Sequence, residues 1–332
     1  MKKFLVIQTA SIGDVVLATS VLEELHYNYP AEKIDILVKK GNESLFTNHP
    51  FIGKVWIWDK KENKYSKLIK LILELRKIDY EYVININRFF SSGIITALSH
   101  SDEKIGFKKN PFSSFFDQKI EHLIDKDKFV HEIDRNYSLI ESICEDDESD
   151  VSPPKLYPTP EAFEKVKQYK DGTYYTISPS SLWFTKQFHK EGWIEFLKLI
   201  PNEASIYLLG SPSDIPLCQE IQSAISHPKC QILAGELSFL ESTALMKDAK
   251  MNFMNDSAPL HFCTSVNAPT TAIFCSTVRE FGFTPLSENS VVVETKEKLS
   301  CRPCGLHGYK KCPQKHFKCS LTIDIKDLID RL

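Results

Sequence analysis

The chain lacks the two glycine-rich phosphate cradles that are easiest to read in a sequence. No G-x-G-x-x-G follows its first apolar run, and no G-x-x-x-x-G-K-[ST] loop occurs. A standard dinucleotide fingerprint and a P-loop are therefore disfavoured. No apolar run reaches the roughly 20 residues needed to span a bilayer. The net charge is −3, so no general basic field invites nucleic acid. A G-x-S-x-G nucleophile elbow is missing, and the first half has no His/Asp/Glu metal constellation. Nine cysteines among 332 residues are too few for a disulfide scaffold. Five of them (Cys144, Cys218, Cys230, Cys263, Cys275) are scattered and read as small buried apolar residues. The opening MKKFLVIQTASIGD has too short an apolar core for a signal peptide, broken by Gln8 and followed by Asp14. It reads as a first strand, which implies a cytoplasmic protein.

What is present is a soluble, globular composition, 42% hydrophobic and 26% charged, long enough for about two domains. One stretch organises the rest: FMNDSAPLHF, Phe253 to Phe262. Met251 to Met254 predicts a buried strand, followed by a turn at Asn255 and Asp256. Asp256 or Ser257 is placed to cap the helix that follows, with Pro259 in its first turn. The unpaired N–H groups of such a turn form a natural anion site, and His261 lies one turn further in. The same pattern also describes an ordinary strand–helix junction with a capping Asp.

Lys3 to Gln8 predicts a central parallel strand, Val15 to Tyr27 a helix, and Ile34 to Val38 a second strand. Asp14 then stands at the carboxyl end of the first strand, as a helix cap or as a general base facing a ligand. Further strands are predicted at Val55–Trp58 and Tyr82–Ile86, with helices at Tyr65–Ile78, Ser91–Ser99 and from His131. Lys104 to Lys119 mixes Lys and Phe and reads as a loop. It suits either an anionic, partly apolar partner met through Lys108 and Lys109, or solvent with the Phe rings tucked in. The acidic, Pro-rich run from Glu145 to Pro160 has a linker's composition. Beyond it the strand–helix grammar repeats, with strands at Tyr174–Ser178, Ser205–Leu209, Gln231–Leu233, Met251–Met254 and Thr270–Phe274. This predicts an α/β chain of two Rossmann-like, doubly wound domains facing across a cleft.

Phosphate-friendly groups gather in the second half: Ser180, Ser181, Lys186, Asp214, Asp256, Ser257 and His261, each following a predicted strand. A lysine and a helix start suffice to stabilise a leaving diphosphate without a metal. Near the C-terminus, CRPCGLHGYKKCPQKHFKC holds Cys301, Cys304, Cys312 and Cys319, with His307 and His316 between them. The spacing fits a structural tetrahedral zinc site; it equally fits reduced thiols in a compact loop, or a disulfide formed on oxidation.

Taken together, these segments resemble the ADP-heptose:lipopolysaccharide heptosyltransferase family, glycosyltransferase family 9, of the two-domain GT-B type. The resemblance rests on FLVIQTASIGDVVLATSVLEEL, KIGF, HEIDRNYSLI, WFTKQF and LAGELSFLESTALMKDAKMNFMNDSAPLH, and covers nearly the whole chain. It implies the following roles. Asp14 matches the catalytic base and Lys186 the lysine on the donor diphosphate, with Ser180 and Ser181 in the same loop. Asp214 matches an acidic residue near the ribose, and Leu237 an apolar residue beside the adenine. Asp256, Ser257, Ala258 and His261 match an Asp-Thr-Gly-x-x-His motif; Gly13, Lys108 and Lys109 fall on the acceptor side. The implied reaction inverts the anomeric centre and needs no cofactor for catalysis. The implied partners are an ADP-heptose donor and an anionic glycolipid acceptor of the lipopolysaccharide core, met at the cytoplasmic face of the inner membrane, with no nucleic acid. The implied division is 1–150 for the acceptor domain, 151–172 for the linker, 173–322 for the nucleotide-sugar domain with its Cys-rich tail, and 323–332 for a closing helix that GT-B proteins often pack back on the first domain.

Four departures stand out: Ser257 for Thr, Ala258 for Gly, Gln187 where a basic residue is common, and Asn85 where an Asp is usual. They leave open a GT-B enzyme with another donor or acceptor, and a nucleotide-binding homologue without turnover.

Overall fold

The computed structural model describes residues 2–61, 63–125, 128–144 and 151–332. The acidic part of the expected linker, residues 145–150, lies outside them. The chain divides into two compact units: Met1–Ile124 with Val130–Tyr157, and Asp125–Phe129 with Pro158–Leu332.

The first unit holds β1 (Lys3–Gln8), β2 (Lys33–Lys39), β3 (Ile52–Trp58), β4 (Tyr80–Asn85), β5 (Ser101–Phe107) and β6 (Gln118–Ile120). All pair in parallel, in the order β3-β2-β1-β4-β5-β6. The second holds β7 (Tyr174–Ser178), β8 (Ser205–Leu208), β9 (Cys230–Ile232), β10 (Met251–Asn255), β11 (Thr270–Phe274) and β12 (Ser290–Glu294). Their order is β12-β11-β10-β7-β8-β9, again wholly parallel. Numbered from its own first strand, each sheet has the doubly wound order 3-2-1-4-5-6. The order reverses between β1 and β4 in the first unit, and between β7 and β10 in the second. Loops that leave the carboxyl ends of those pairs diverge to opposite faces and open a crevice.

Every residue of β7 and β10, and all of β1 after Lys3, is buried, as central parallel strands covered on both faces require; their polar members, such as Thr176 and Asn252, pair with each other. In the first unit Leu5, Ile7 and Val83 pack with Trp56, Trp58 and the helix residues Leu71 and Leu75. In the second, Ile177, Leu208 and Phe253 pack with Trp193 and Phe196, and Cys319, Ile323 and Leu328 join the same core. Each such side chain contributes about 1.5–3 kcal/mol by leaving water.

Several elements differ from the sequence expectation. Lys104–Lys119 is not one loop: it contains the end of β5 and the start of β6. The strand escaped notice because its first four residues, Ser101–Lys104, are polar and keep water, and only Ile105–Phe107 are buried. The first helix begins at Ile12, not Val15. Residues 151–172 include the helix Pro160–Val166, whose Thr159 side chain accepts from Ala162 N–H at 3.2 Å. The segment from His131 is helical only over Glu132–Tyr137, then forms a 3-10 turn at Glu141–Ile143. In the closing segment only Lys326–Ile329 is helical, and its Leu328 is buried in the second unit's core.

Candidate active site

The second sheet brings two of the expected groups into direct contact. Lys186 follows β7 and Asp256 follows β10, the two strands that flank the reversal of strand order. Lys186 Nζ lies 2.7 Å from Asp256 Oδ2, with side chains 16% and 7% exposed. Thr277, just beyond β11, donates its hydroxyl to the same carboxylate oxygen at 2.6 Å. The pair is thus largely removed from water and supported by a further donor, as a buried ion pair requires.

The capping expectation at this corner is only half met. Ser257 occupies the N-cap position of the helix Ala258–Thr264, but no side-chain hydrogen bond caps that helix. The Ser257 hydroxyl instead donates to the Asn255 carbonyl at 3.2 Å, and Asp256 turns to the lysine. Ala258 is partly exposed in the first turn, and His261 is buried one turn on.

The turn that carries Ser180, Ser181 and Lys186 is stapled at its base. Asn255 donates to the Pro179 carbonyl at 2.8 Å and accepts from Phe188 N–H at 2.7 Å. One buried amide therefore clamps both ends of the turn. Gln187, where a basic residue was expected, donates to the Ser181 carbonyl at 2.6 Å. It closes the turn upon itself rather than adding charge. Phe188 packs edge-on to Trp193 and lies so close to Gly192 that a Cβ there would sit 2.3 Å from its Cζ. Sequence reading took Asn255 only as a turn residue. A polar residue ending a fully buried strand was the available signal.

Two other expected groups follow strands of the same sheet. Asp214 follows β8 and accepts from Ser211 N–H and Oγ at 2.8 and 2.7 Å, forming a capping box. Leu237 follows β9, half-buried, just before the capping Ser238.

The first unit repeats the device. Asp14 accepts from Ser11 N–H at 3.0 Å and from Ser11 Oγ at 2.6 Å, so the capping role of this carboxylate is realised. Those bonds fix its direction at the carboxyl end of β1, next to buried Gly13. Between β1 and β4 lies a cluster of neutral amides. Asn87 accepts from Thr9 N–H at 2.7 Å and donates to Gln8, while Asn85 accepts from Asn87 N–H at 2.9 Å. Lys60, absent from the sequence reading, donates to the Thr9 carbonyl at 2.8 Å. Burial, with Lys39 and Lys64 adding to it, pushes its amine down to about 8. Lys108 and Lys109 are exposed, and Lys108 pairs with Glu121 at 2.7 Å.

The Cys-rich tail is a compact irregular segment of free thiols. Cys301 Sγ lies 3.7 Å from His316 Nε2, and Cys304 Sγ donates to the Cys301 carbonyl at 3.3 Å. Burial raises the Cys319 thiol to about 12, with the thiols of Cys304, Cys312 and Cys301 adding to the shift. Among the described residues, no three or more His, Cys, Asp or Glu side chains are grouped to hold a metal ion.

Two wholly parallel, doubly wound units of this strand order make up the GT-B fold. Solved structures similar to the chain carry that fold. A glycosyltransferase family 9 protein from Veillonella parvula superposes with a TM-score of 0.84 at 19% identity, covering 99% of this chain and 96% of that one. The ADP-heptose lipopolysaccharide heptosyltransferase II of Escherichia coli superposes at 0.80, also at 19% identity, covering 100% and 97%. In sequence, lipopolysaccharide heptosyltransferase 3 of Escherichia coli is 25% identical over 292 residues, 84% of this chain and 85% of that relative. The family model for glycosyltransferase family 9 (heptosyltransferase) matches residues 68–311, and the chain belongs to that family. It is a glycosyltransferase. Among the described residues, no helix is long and apolar enough to cross a membrane.

Proposed function

We propose that this protein transfers a heptose from an ADP-linked donor to an acceptor of the lipopolysaccharide core, with inversion at the anomeric carbon. The observation that carries the reading is the Lys186–Asp256 pair at the reversal point of the second sheet, beside the Ser180–Ser181 turn. The names of the Escherichia coli relatives, which specify lipopolysaccharide and ADP-heptose, support the choice of donor and acceptor.

In this reading the second unit takes the donor. Lys186 and the first turn of the helix after Ser257 face its diphosphate, Ser180 and Ser181 donate to phosphate oxygens, and Asp214 and Leu237 serve the nucleoside. Asp14 accepts the proton of the acceptor hydroxyl. The acceptor oxygen forms its bond to the anomeric carbon as the bond from that carbon to the diphosphate oxygen breaks. The electron pair leaves with the diphosphate, where Lys186 stabilises the growing charge. Gly13, Lys108 and Lys109 serve an anionic acceptor presented at the cytoplasmic membrane face. Catalysis itself requires no metal in this scheme.

The test is thermal stability with ADP, UDP or GDP, for the wild type and for Asp256→Ala. A ligand at about 100 times its dissociation constant adds about 2.7 kcal/mol when it binds only the folded state. A shift with ADP alone, lost in the variant, is the expected result, followed by transfer from ADP-heptose. A shift with UDP or GDP instead overturns the choice of donor.

A further inference from the structure

The Cys-rich tail packs against the turn that carries Lys186, and the contact is made through the neighbouring residue. Thr185 N–H donates to the Tyr309 carbonyl at 3.0 Å, and Tyr309 N–H donates to Thr185 Oγ1 at 2.8 Å. The two residues exchange a pair of hydrogen bonds, one to a main-chain carbonyl and one to a side-chain hydroxyl. Ser276, beyond β11, donates its hydroxyl to the same Thr185 oxygen at 3.1 Å. Thr185 is buried, so this oxygen accepts two bonds away from water.

Gly308 makes the approach possible. Its φ is +73°, a conformation that glycine adopts without penalty. A Cβ at this position would lie 2.7 Å from Thr185 Oγ1, 3.2 Å from Ser276 Oγ and 3.1 Å from Cγ of Lys186 itself. The tail is in turn tied to the sheet. Cys304 N–H donates to the Ser276 carbonyl at 2.8 Å. The Arg302 guanidinium donates to the carbonyls of Phe274 and Thr277 and pairs with Glu294. Arg302 thus holds the segment on which Thr277 reaches Asp256.

We propose that the Cys-rich tail is a brace for Lys186, and that Gly308 and Thr185 are positioning residues of the transfer reaction. The brace explains an otherwise unassigned segment. The lysine's stem is walled by Gly308 on one side, its main chain is pinned through Thr185, and its amine is aimed by Asp256. The catalytic part of the proposal rests on the diphosphate role given to Lys186 above; the mechanical part does not.

The experiment uses the full chain with Gly308→Ala, Thr185→Val and Thr185→Ser, and reads two quantities. The first is the rate at which an amine-reactive ester labels Lys186, followed by peptide mass spectrometry, with Lys165 and Lys170 of the same unit as references. The second is kcat and KM for sugar transfer, with ADP affinity. Gly308→Ala and Thr185→Val are expected to raise Lys186 labelling several-fold relative to the reference lysines. They should lower kcat by about ten- to a hundred-fold, the scale of a misplacement of about 1 Å, with a smaller change in acceptor KM. Thr185→Ser, which keeps the hydroxyl, should restore both. If Gly308→Ala does not fold, the Val and Ser pair at position 185 carries the test. Increased labelling in a protein that binds no nucleotide supports the brace and overturns the diphosphate reading. Folded variants with wild-type labelling and wild-type ADP affinity overturn the brace.

Discussion

Replacing Lys186 with methionine strands a carboxylate. Asp256 is nearly enclosed, and its two close partners at Oδ2 are the lysine amine at 2.7 Å and the Thr277 hydroxyl at 2.6 Å. Removing the amine leaves an anion that one hydroxyl cannot repay for lost hydration. Breaking one side of a buried pair costs about 3–5 kcal/mol, and the modest exposure here places the expected loss near about 3 kcal/mol. The converse change is milder. In Asp256→Asn the amide oxygen still accepts from Thr277, and the long lysine stem lets the freed amine turn towards water. That loss should be about 1–2 kcal/mol. The double variant has no stranded charge, so its loss should fall short of the sum by about 1–2 kcal/mol. Urea unfolding followed by tryptophan fluorescence, with Trp193 reporting from the second core, measures all three. The reasoning is refuted if Lys186→Met unfolds at the wild-type urea concentration, or if the two single losses simply add.

Three further predictions concern other sites. His49 sits among Phe46, Phe51, His26 and Tyr157, and burial, with His26 and Lys155 adding to it, lowers its pKa to about 4. Between about 4 and the ordinary 6.5 the unfolded chain binds a proton that the folded one refuses, so stability falls as pH drops through this window. His49→Phe should flatten the pH dependence of melting between 4.5 and 7 by about 2 kcal/mol, the full linkage reduced for the part of the ring that keeps water; an unchanged slope would remove this account. The Lys60 amine should react with amine reagents with a midpoint near about 8, well below an ordinary lysine at 10.5, because its folded-state pKa is depressed. The zinc expectation for Cys301, Cys304, Cys312 and Cys319 is tested by elemental analysis of reduced protein. One equivalent of zinc, lost in Cys304→Ser, supports it, and a metal-free, stable protein removes it.

Periodicity made the backbone plan legible where both faces of a strand are buried. Residues KFLVIQ, YYTIS and MNFMN have no solvent-facing side, and their few polar residues do not make an alternating polar face. It failed where burial is partial: β5 opens with SDEK, and the first two residues of β12, Ser290 and Val291, are only half-buried. The helix Pro160–Val166 was hidden by its Pro-rich neighbourhood, although Thr159–Pro160 is itself a helix-start signal. At the candidate site, Lys186 and Asp256 were each visible as phosphate-friendly groups after a strand. Their direct pairing was not, because adjacency of β7 and β10 depends on two intervening strands having gone to the other side. The same reason hid Thr277 and Gly308. Both act across crossovers, and nothing local to either residue marks its partner. Gln187 was read as a missing charge, whereas its amide is a fastener within a tight turn.

The matching strand orders bear on how the chain is made as well as on what it binds. In each sheet the first strand synthesised, β1 or β7, becomes a central strand. Assembly can then proceed outward on one side, through β2 and β3 or β8 and β9, while the other edge waits. For β7 that edge stays open until β10 is translated, an apolar strand flank with unpaired main-chain groups. Exposed edges of this kind recruit foreign strands. The interval between Ser178 and Met251, like that between Gln8 and Tyr80 in the first sheet, therefore leaves the nascent chain open to such pairing, and slowing translation within it should raise the aggregated fraction more than slowing it after Asn255.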